Sequence, residues 1–204
     1  MSKLKLSYFD FNGGRGESAR LALSMGNIEF EDQRVVFKDW PTLKTSMPFG
    51  AMPVLEVDGT QLAQSNSINR YVGKLSNLYP TDPYQALLCD ETMDAVEEMV
   101  AKISNTMFLD DDAKKVKREA IAAGPMPLYL THLQANLKAR GGEFFADNRL
   151  TMADLVVFIW VRGLRSGHLD GIPADLVEKV APLLVQHQDR IAQTPSVLAY
   201  YQNH

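Results

Sequence analysis

A single cysteine, Cys89, leaves this chain of 204 residues with no internal disulfide to form and no Cys-x-x-Cys pair for redox or zinc chemistry. The four histidines, His132, His168, His187 and His204, lie too far apart for a metal-binding spacing motif, and no HExxH, GxSxG or phosphate-loop signature occurs. Long apolar runs are missing too. The richest stretch, Leu155 to Val161, falls far short of the roughly 20 residues that a membrane helix needs. Charge of one sign never forms a block: 21 Lys and Arg stand against 25 Asp and Glu, a formal net charge of -4, which gives no basic face for nucleic acid or a membrane surface. The opening Met1-Ser2-Lys3-Leu4-Lys5 leads into an alternating strand, where a secretory signal would carry an apolar core. With 46% hydrophobic residues and ordinary Gly and Pro content, the composition predicts a soluble, cytoplasmic, globular protein of one large or two modest domains.

What is present changes period repeatedly over the first 80 residues. Leu4, Leu6 and Tyr8 alternate with Lys3, Lys5 and Ser7, which predicts a half-buried strand with Tyr8 pointing inward near its end. Asn12-Gly13-Gly14-Arg15-Gly16 reads as a flexible loop, and Glu17 to Met25 as a helix stopped by Gly26-Asn27. Residues 28–36 alternate as a second strand, so that strand, helix, strand forms a βαβ unit with a parallel pair. After a loop carrying Trp40-Pro41 and Lys44, residues 53–63 read as a hairpin in which Asp58-Gly59 supplies a type I′ turn. Ser65 stands as the N-cap of a helix marked by Ile68, Tyr71, Val72 and Leu75. Tyr79-Pro80 and Pro83 make a rigid linker, which places a domain boundary at 80–84.

From Tyr84 onward the pattern is helical. Leu87, Leu88, Val96, Met99, Val100, Ile103 and Met107 mark a long helix, and Asp110-Asp111-Asp112 opens the next, where anions suit the helix dipole. Gly124-Pro125 breaks that helix, and Gly141-Gly142 ends the one after it. Thr151-Met152-Ala153-Asp154 has capping-box spacing. Asp154 is therefore read as structural, and its removal is predicted to cost roughly 1 to 2 kcal/mol through the lost cap. Cys89 is read as a small buried hydrophobe.

The groups left for chemistry are Tyr8 at a strand end, Arg15, Trp40, Lys44, the Met52-Pro53 peptide and Gln64-Ser65 at a helix start. A proline leading a strand has no N–H to offer, and X-Pro is where a cis bond is least costly, so Met52-Pro53 is expected to be cis. In that form Met52 would show its N–H and C=O as a free edge for the backbone of a short peptide. The free N–H groups of the helix that begins near Ser65 suit a carboxylate. Taken singly each group has a plain structural reading. Tyr8 is a core tyrosine, Arg15 and Lys44 are surface charges, Ser65 is a cap, and Trp40 covers a loop.

Together, Tyr8-Phe9, Gly14-Arg15-Gly16-Glu17, Asp39-Trp40-Pro41, Met47-Pro48-Phe49-Gly50, Met52 to Gly59, Gln64-Ser65 and Leu150 to Asp154 resemble the cytosolic glutathione transferases. The likeness is greatest to the sigma class, which includes the haematopoietic prostaglandin D synthases and the S-crystallins. It covers nearly the whole chain. It implies an α+β and all-α two-domain protein, with a thioredoxin-like βαβ-α-ββα domain in 1–80 and an all-helical domain in 84–204. It also implies a homodimer, with Phe49 expected in its interface, and no cofactor beyond glutathione as co-substrate.

The resemblance assigns Tyr8 as the hydroxyl that hydrogen-bonds the glutathione sulfur. It gives the glycyl carboxylate to Trp40 and Lys44, the cysteinyl amides to Met52 and Pro53, and the γ-glutamyl carboxylate to Gln64 and Ser65, with Arg15 near the sulfur. An acid from the partner subunit meets the γ-glutamyl ammonium, and counting from Gln64 places it at Glu98, with Glu97 and Asp94 as alternatives. Phe9, Val100, Ile103, Ser104, Asn105 and Phe108 are the candidate electrophile pocket. The chain departs from the sigma-class pattern in one extra residue between Tyr8 and Arg15, absorbed by Asn12-Gly13-Gly14. It also lacks, after Glu98, the tryptophan of the vertebrate prostaglandin synthases, which favours conjugation of small hydrophobic electrophiles over prostaglandin isomerisation. A crystallin-like or ligand-carrying protein, or a glutathione-dependent isomerase or peroxidase, is the alternative.

Overall fold

The computed structural model describes residues 2–203. Among these, one compact unit runs to Tyr79 and takes in the segment from Pro195 onward, and the other is Pro80–Thr194.

The first unit is built on four strands, β1 (Leu4–Phe9), β2 (Glu31–Val35), β3 (Val54–Val57) and β4 (Thr60–Ala63), in the order β2-β1-β3-β4. The expected βαβ crossover is present: β1 and β2 are parallel, with Tyr8 opposite Arg34, and α1 (Gly14–Met25) joins them. Asp58 and Gly59 both have positive φ, 50° and 86°, as a type I′ turn demands, and the hairpin pairs Leu55 with Leu62. β3 is also antiparallel to β1, with Leu6 opposite Leu55. Leu4, Leu6, Leu21, Leu23, Leu55, Ile68 and Val72 are buried, as α1 and α3 (Ser65–Leu75) pack against each other and the sheet.

Four readings of this unit are corrected. The helix expected from Glu17 begins at Gly14, because Gly14-Arg15-Gly16 forms its opening turn and is not loop. The second strand is Glu31–Val35 only. The loop after it is wound into short 3-10 turns around α2 (Trp40–Leu43), since Trp40-Pro41 is a favourable helix start. Ser65 is the first residue of α3 and not its cap; Gln64 takes that place with φ 77° and no side-chain capping bond.

The helical unit contains α4 (Pro83–Ser104), α5 (Asp111–Ala123), α6 (Pro125–Ala139), α7 (Met152–Arg165), α8 (Leu176–Val180) and α9 (Pro182–Ala192). Asp110 caps α5 by accepting from the Ala113 N–H at 2.9 Å. α7 is the most buried of these helices and packs against α4 and α9. Its start is fixed as expected, by a capping box between Thr151 and Asp154. Asp154 does more than cap. Its buried carboxylate accepts from the Thr151 N–H and hydroxyl, both at 2.8 Å, and from the Phe145 N–H at 3.0 Å, and it faces His187 Nε2 at 3.0 Å. Since a carboxylate only accepts, the imidazole proton is assigned to Nε2.

The last helix, α10 (Pro195–Asn203), packs on α1 and falls in the first compact unit. Buried Val197 and Tyr200 are the apolar side chains that hold it there.

Candidate active site

The carboxyl end of β1 lies in register with the residues that flank β3 and β4. Ser7 is opposite Val54 and Val54 is opposite Ala63, so Tyr8, Met52-Pro53 and Gln64-Ser65 emerge at the same end of the sheet. The Met52-Pro53 peptide is cis, as expected. Met52 does not, however, offer the side of a strand, because β3 is flanked by β1 and β4 and its paired register starts at Val54. Met52 is the residue that precedes the paired strand, its side chain buried in a cluster with Tyr8, Val35 and Val54. Trp40, Leu43, Met47 and Phe9 pack against that cluster.

Tyr8 is 6% exposed, and its phenol oxygen accepts the Arg15 backbone N–H at 2.9 Å. An oxygen that accepts from the main chain keeps its own proton to donate elsewhere. The ring lies directly on the opening turn of α1. A Cβ at Gly14 would stand 2.4 Å from the phenol oxygen, and one at Gly16 only 2.3 Å from Cγ, so the two glycines form the bed of the ring. The sequence reading took the same glycines for a flexible loop. Arg15, half-buried between them, reaches Tyr8 through its backbone.

Beneath this turn sits a feature that sequence reasoning missed. Arg20 is fully buried, pairs with Asp32 at 2.8 Å and with Glu17 at 3.6 Å, and donates to the main-chain oxygens of Tyr8, Phe9 and Phe11 at 3.2–3.4 Å. Its guanidinium also lies 5.7 Å from the Tyr8 ring centroid. These bonds fix the backbone that carries Tyr8. The signal available was Glu17-x-x-Arg20, an (i, i+3) charge pair on one helix. Tyr200 of α10 is buried beside this network, and burial together with the Glu17 charge pushes its hydroxyl pKa well above the ordinary value.

Among the other candidates, Trp40 is half-buried at the start of α2, its ring edge-on to Phe9 at 5.5 Å. Lys44 is exposed one turn later, its stem close over Gly50. Gln64 is exposed and Ser65 half-buried. Phe9 stacks on Phe37 at 4.6 Å, and Phe11 lies 5.9 Å from the Tyr8 ring. Phe11 and Phe37, both exposed, were not anticipated.

The remaining candidates belong to the helical unit. Glu98 is exposed on α4 and accepts a hydrogen bond from the Tyr129 hydroxyl of α6. Glu97 is half-buried and Asp94 exposed. Val100 is half-buried and Ile103 buried, and the Ser104 hydroxyl donates back to the Val100 carbonyl at 2.8 Å. Asn105 and Phe108 are exposed. No described helix is long and apolar enough to cross a membrane.

Residues 4–74 match the family model for the glutathione S-transferase N-terminal domain, and residues 97–204 match the model for its C-terminal domain. Glutathione S-transferase 1 of Ascaris suum is 36% identical over 162 residues, 77% of this chain and 78% of that protein. The prostaglandin synthase D structure from Nilaparvata lugens superposes with a TM-score of 0.86 at 30% identity, covering 98% of this chain and 97% of the other. A monomeric glutathione S-transferase from the hookworm Necator americanus superposes with a TM-score of 0.82 at 26% identity, covering 99% and 97%. Both halves of the sequence and the fold lead to one assignment: the chain belongs to the glutathione S-transferase family.

Proposed function

We propose that this chain is a cytoplasmic, homodimeric glutathione transferase of the sigma type, which ionises the thiol of glutathione and conjugates it to small hydrophobic electrophiles without a resident cofactor. The observation that carries the reading is the Tyr8 hydroxyl, held by the Arg15 N–H at the sheet end where Met52 and Ser65 also emerge.

Glutathione is an extended tripeptide with a carboxylate at each end, and the groups on the first unit suit it in that order. The indole N–H of Trp40 and the ammonium of Lys44 take the glycyl carboxylate. The Met52 main chain beside Pro53 takes the cysteinyl amides. Gln64, Ser65 and the opening N–H groups of α3 take the γ-glutamyl carboxylate, which the helix dipole also favours. The sulfur then lies at Tyr8, beside Arg15.

Free thiols titrate near about 8.5, so a donor that favours thiolate by roughly two units supplies about 2.7 kcal/mol and ionises the sulfur at neutral pH. The sulfur lone pair attacks an electrophilic carbon held beside it, the leaving group departs with the bonding pair, and a C–S bond forms. The rings of Phe9 and Phe11 lie next to Tyr8, Phe37 stacks on both, and the three offer aromatic surface for such a substrate.

Phe49 supports the dimer. It has φ 56° and is 82% exposed, an arrangement in which a large ring projects from a loop into solvent unless a partner receives it. Because a similar hookworm protein is monomeric, sedimentation of the wild-type chain against Phe49→Ala tests association directly.

The likeness to a prostaglandin synthase favours glutathione-dependent isomerisation as the second reading. Titrating the thiolate absorbance of the bound complex comes first, with a lowered thiol pKa as the expected result. A panel of a chlorodinitrobenzene, an isothiocyanate, an organic hydroperoxide and a prostaglandin endoperoxide follows. Turnover confined to the endoperoxide would replace conjugation by isomerisation, and no turnover on any would leave a binding protein.

A further inference from the structure

Three acids share one stretch of α4: Asp94, Glu97 and Glu98. On the reading above, one of them meets the γ-glutamyl ammonium of glutathione bound in the partner subunit. Glu98, the one that counting from Gln64 selects, has a neighbour 31 residues further on, Tyr129 of α6, whose hydroxyl donates to Glu98 Oε2. The bond joins two helices of the same unit, so it exists without any ligand or partner. It also raises the Tyr129 pKa, chiefly through the hydrogen bond itself and further through the Glu98 charge, so the phenol remains the donor at neutral pH.

An exposed glutamate samples several rotamers, and freezing them when a ligand arrives weakens binding. A donor that fixes the side chain beforehand removes that penalty. One carboxylate oxygen is then occupied by the phenol, and the other is left to accept from a cation. We propose that Tyr129 is a positioning residue for glutathione, holding Oε2 of Glu98 so that Oε1 receives the γ-glutamyl ammonium in the partner subunit. The inference rests on the dimeric glutathione-binding reading, which places Glu98 there, and adds to it what orients that acid.

The test compares wild type with Tyr129→Phe, Glu98→Gln, Glu97→Gln and the Tyr129→Phe/Glu98→Gln double variant, using glutathione and an analogue that lacks its α-amino group. Tyr129→Phe removes one oxygen from a half-buried ring, so its unfolding midpoint serves as the folding control. The expected result is a rise of roughly three- to tenfold in the KM and Kd for glutathione, with kcat unchanged. No change is expected with the amine-free analogue, and none beyond Glu98→Gln in the double variant. A merely structural role would move both ligands together. Wild-type glutathione affinity in Tyr129→Phe overturns the proposal, as does a loss carried by Glu97→Gln and not by Glu98→Gln. A wild-type protein that binds no glutathione removes the functional reading itself, an outcome recognised before any variant is compared.

Discussion

Gly16 lies so close beneath Tyr8 that a methyl group on its Cα would stand 2.3 Å from Cγ and 2.6 Å from Cδ1 of the ring. Alanine is ordinarily the better helix former, by roughly 1 kcal/mol. In Gly16→Ala the contact reverses that preference. The ring must leave its bed, and the expected loss is on the order of 1–3 kcal/mol by overpacking. Denaturant unfolding measures it, and the thiol of bound glutathione should titrate closer to its free value even in the folded variant.

Tyr8→Phe keeps the ring and removes the oxygen. Folding should survive with a small loss, and glutathione affinity should change little. The pKa of the bound thiol should rise by roughly one to two units, and turnover at neutral pH should fall roughly tenfold to a hundredfold. At alkaline pH the deficit should shrink, because hydroxide then supplies the thiolate. Superimposable thiolate titrations of wild type and variant would make Tyr8 a core tyrosine.

Asp154→Ala removes the acceptor for two backbone N–H groups, a hydroxyl and an imidazole N–H in a buried site. Each stranded donor costs about 1–3 kcal/mol, so the loss expected from the structure is about 3 kcal/mol or more, above the figure for a helix cap alone. Chemical denaturation reads it. Glutathione affinity of the folded fraction should be unchanged.

Burial pushes the Cys89 thiol up to about 11, against hydrogen bonds from the Ala153 backbone and Thr151 that favour the thiolate. The folded state therefore holds this proton more tightly than the unfolded state. The corresponding stability is fully present below the unfolded pKa and is lost as pH rises from about 9 toward 11. Cys89→Ala should unfold with a shallower dependence on pH in that window than wild type. At pH 8 the native thiol should resist a maleimide that labels the unfolded chain.

The elements legible from sequence were those whose cause is local. Asp58-Gly59 dictates its turn, Thr151 to Asp154 its helix start, and the alternation from Lys3 to Tyr8 its strand. What escaped depends on groups far apart in sequence. The glycines that open α1 resemble a flexible loop until the ring of Tyr8 is laid on them. Arg20 looks like a surface charge until Asp32 and three carbonyls close around it. Ser65 has the chemistry of a cap, but the left-handed backbone falls at Gln64. Around the candidate site, the strand end that carries Tyr8 was legible and the bracing beneath it was not. The tie between Tyr129 and Glu98 joins two helices and leaves no spacing motif.

The return of α10 to the first unit sets an order of events during synthesis. The strands and helices up to Tyr79 leave the ribosome first, yet they lack Val197 and Tyr200, which complete the packing on α1. The helical unit is continuous from Pro80 to Thr194 and has all of its residues before α10 is made. Domains generally fold as units in the order of their emergence. Here the amino-terminal unit is the one that stays unfinished longest, and the surface of α1 beside Glu17 and Arg20 stays open until the final helix has been translated.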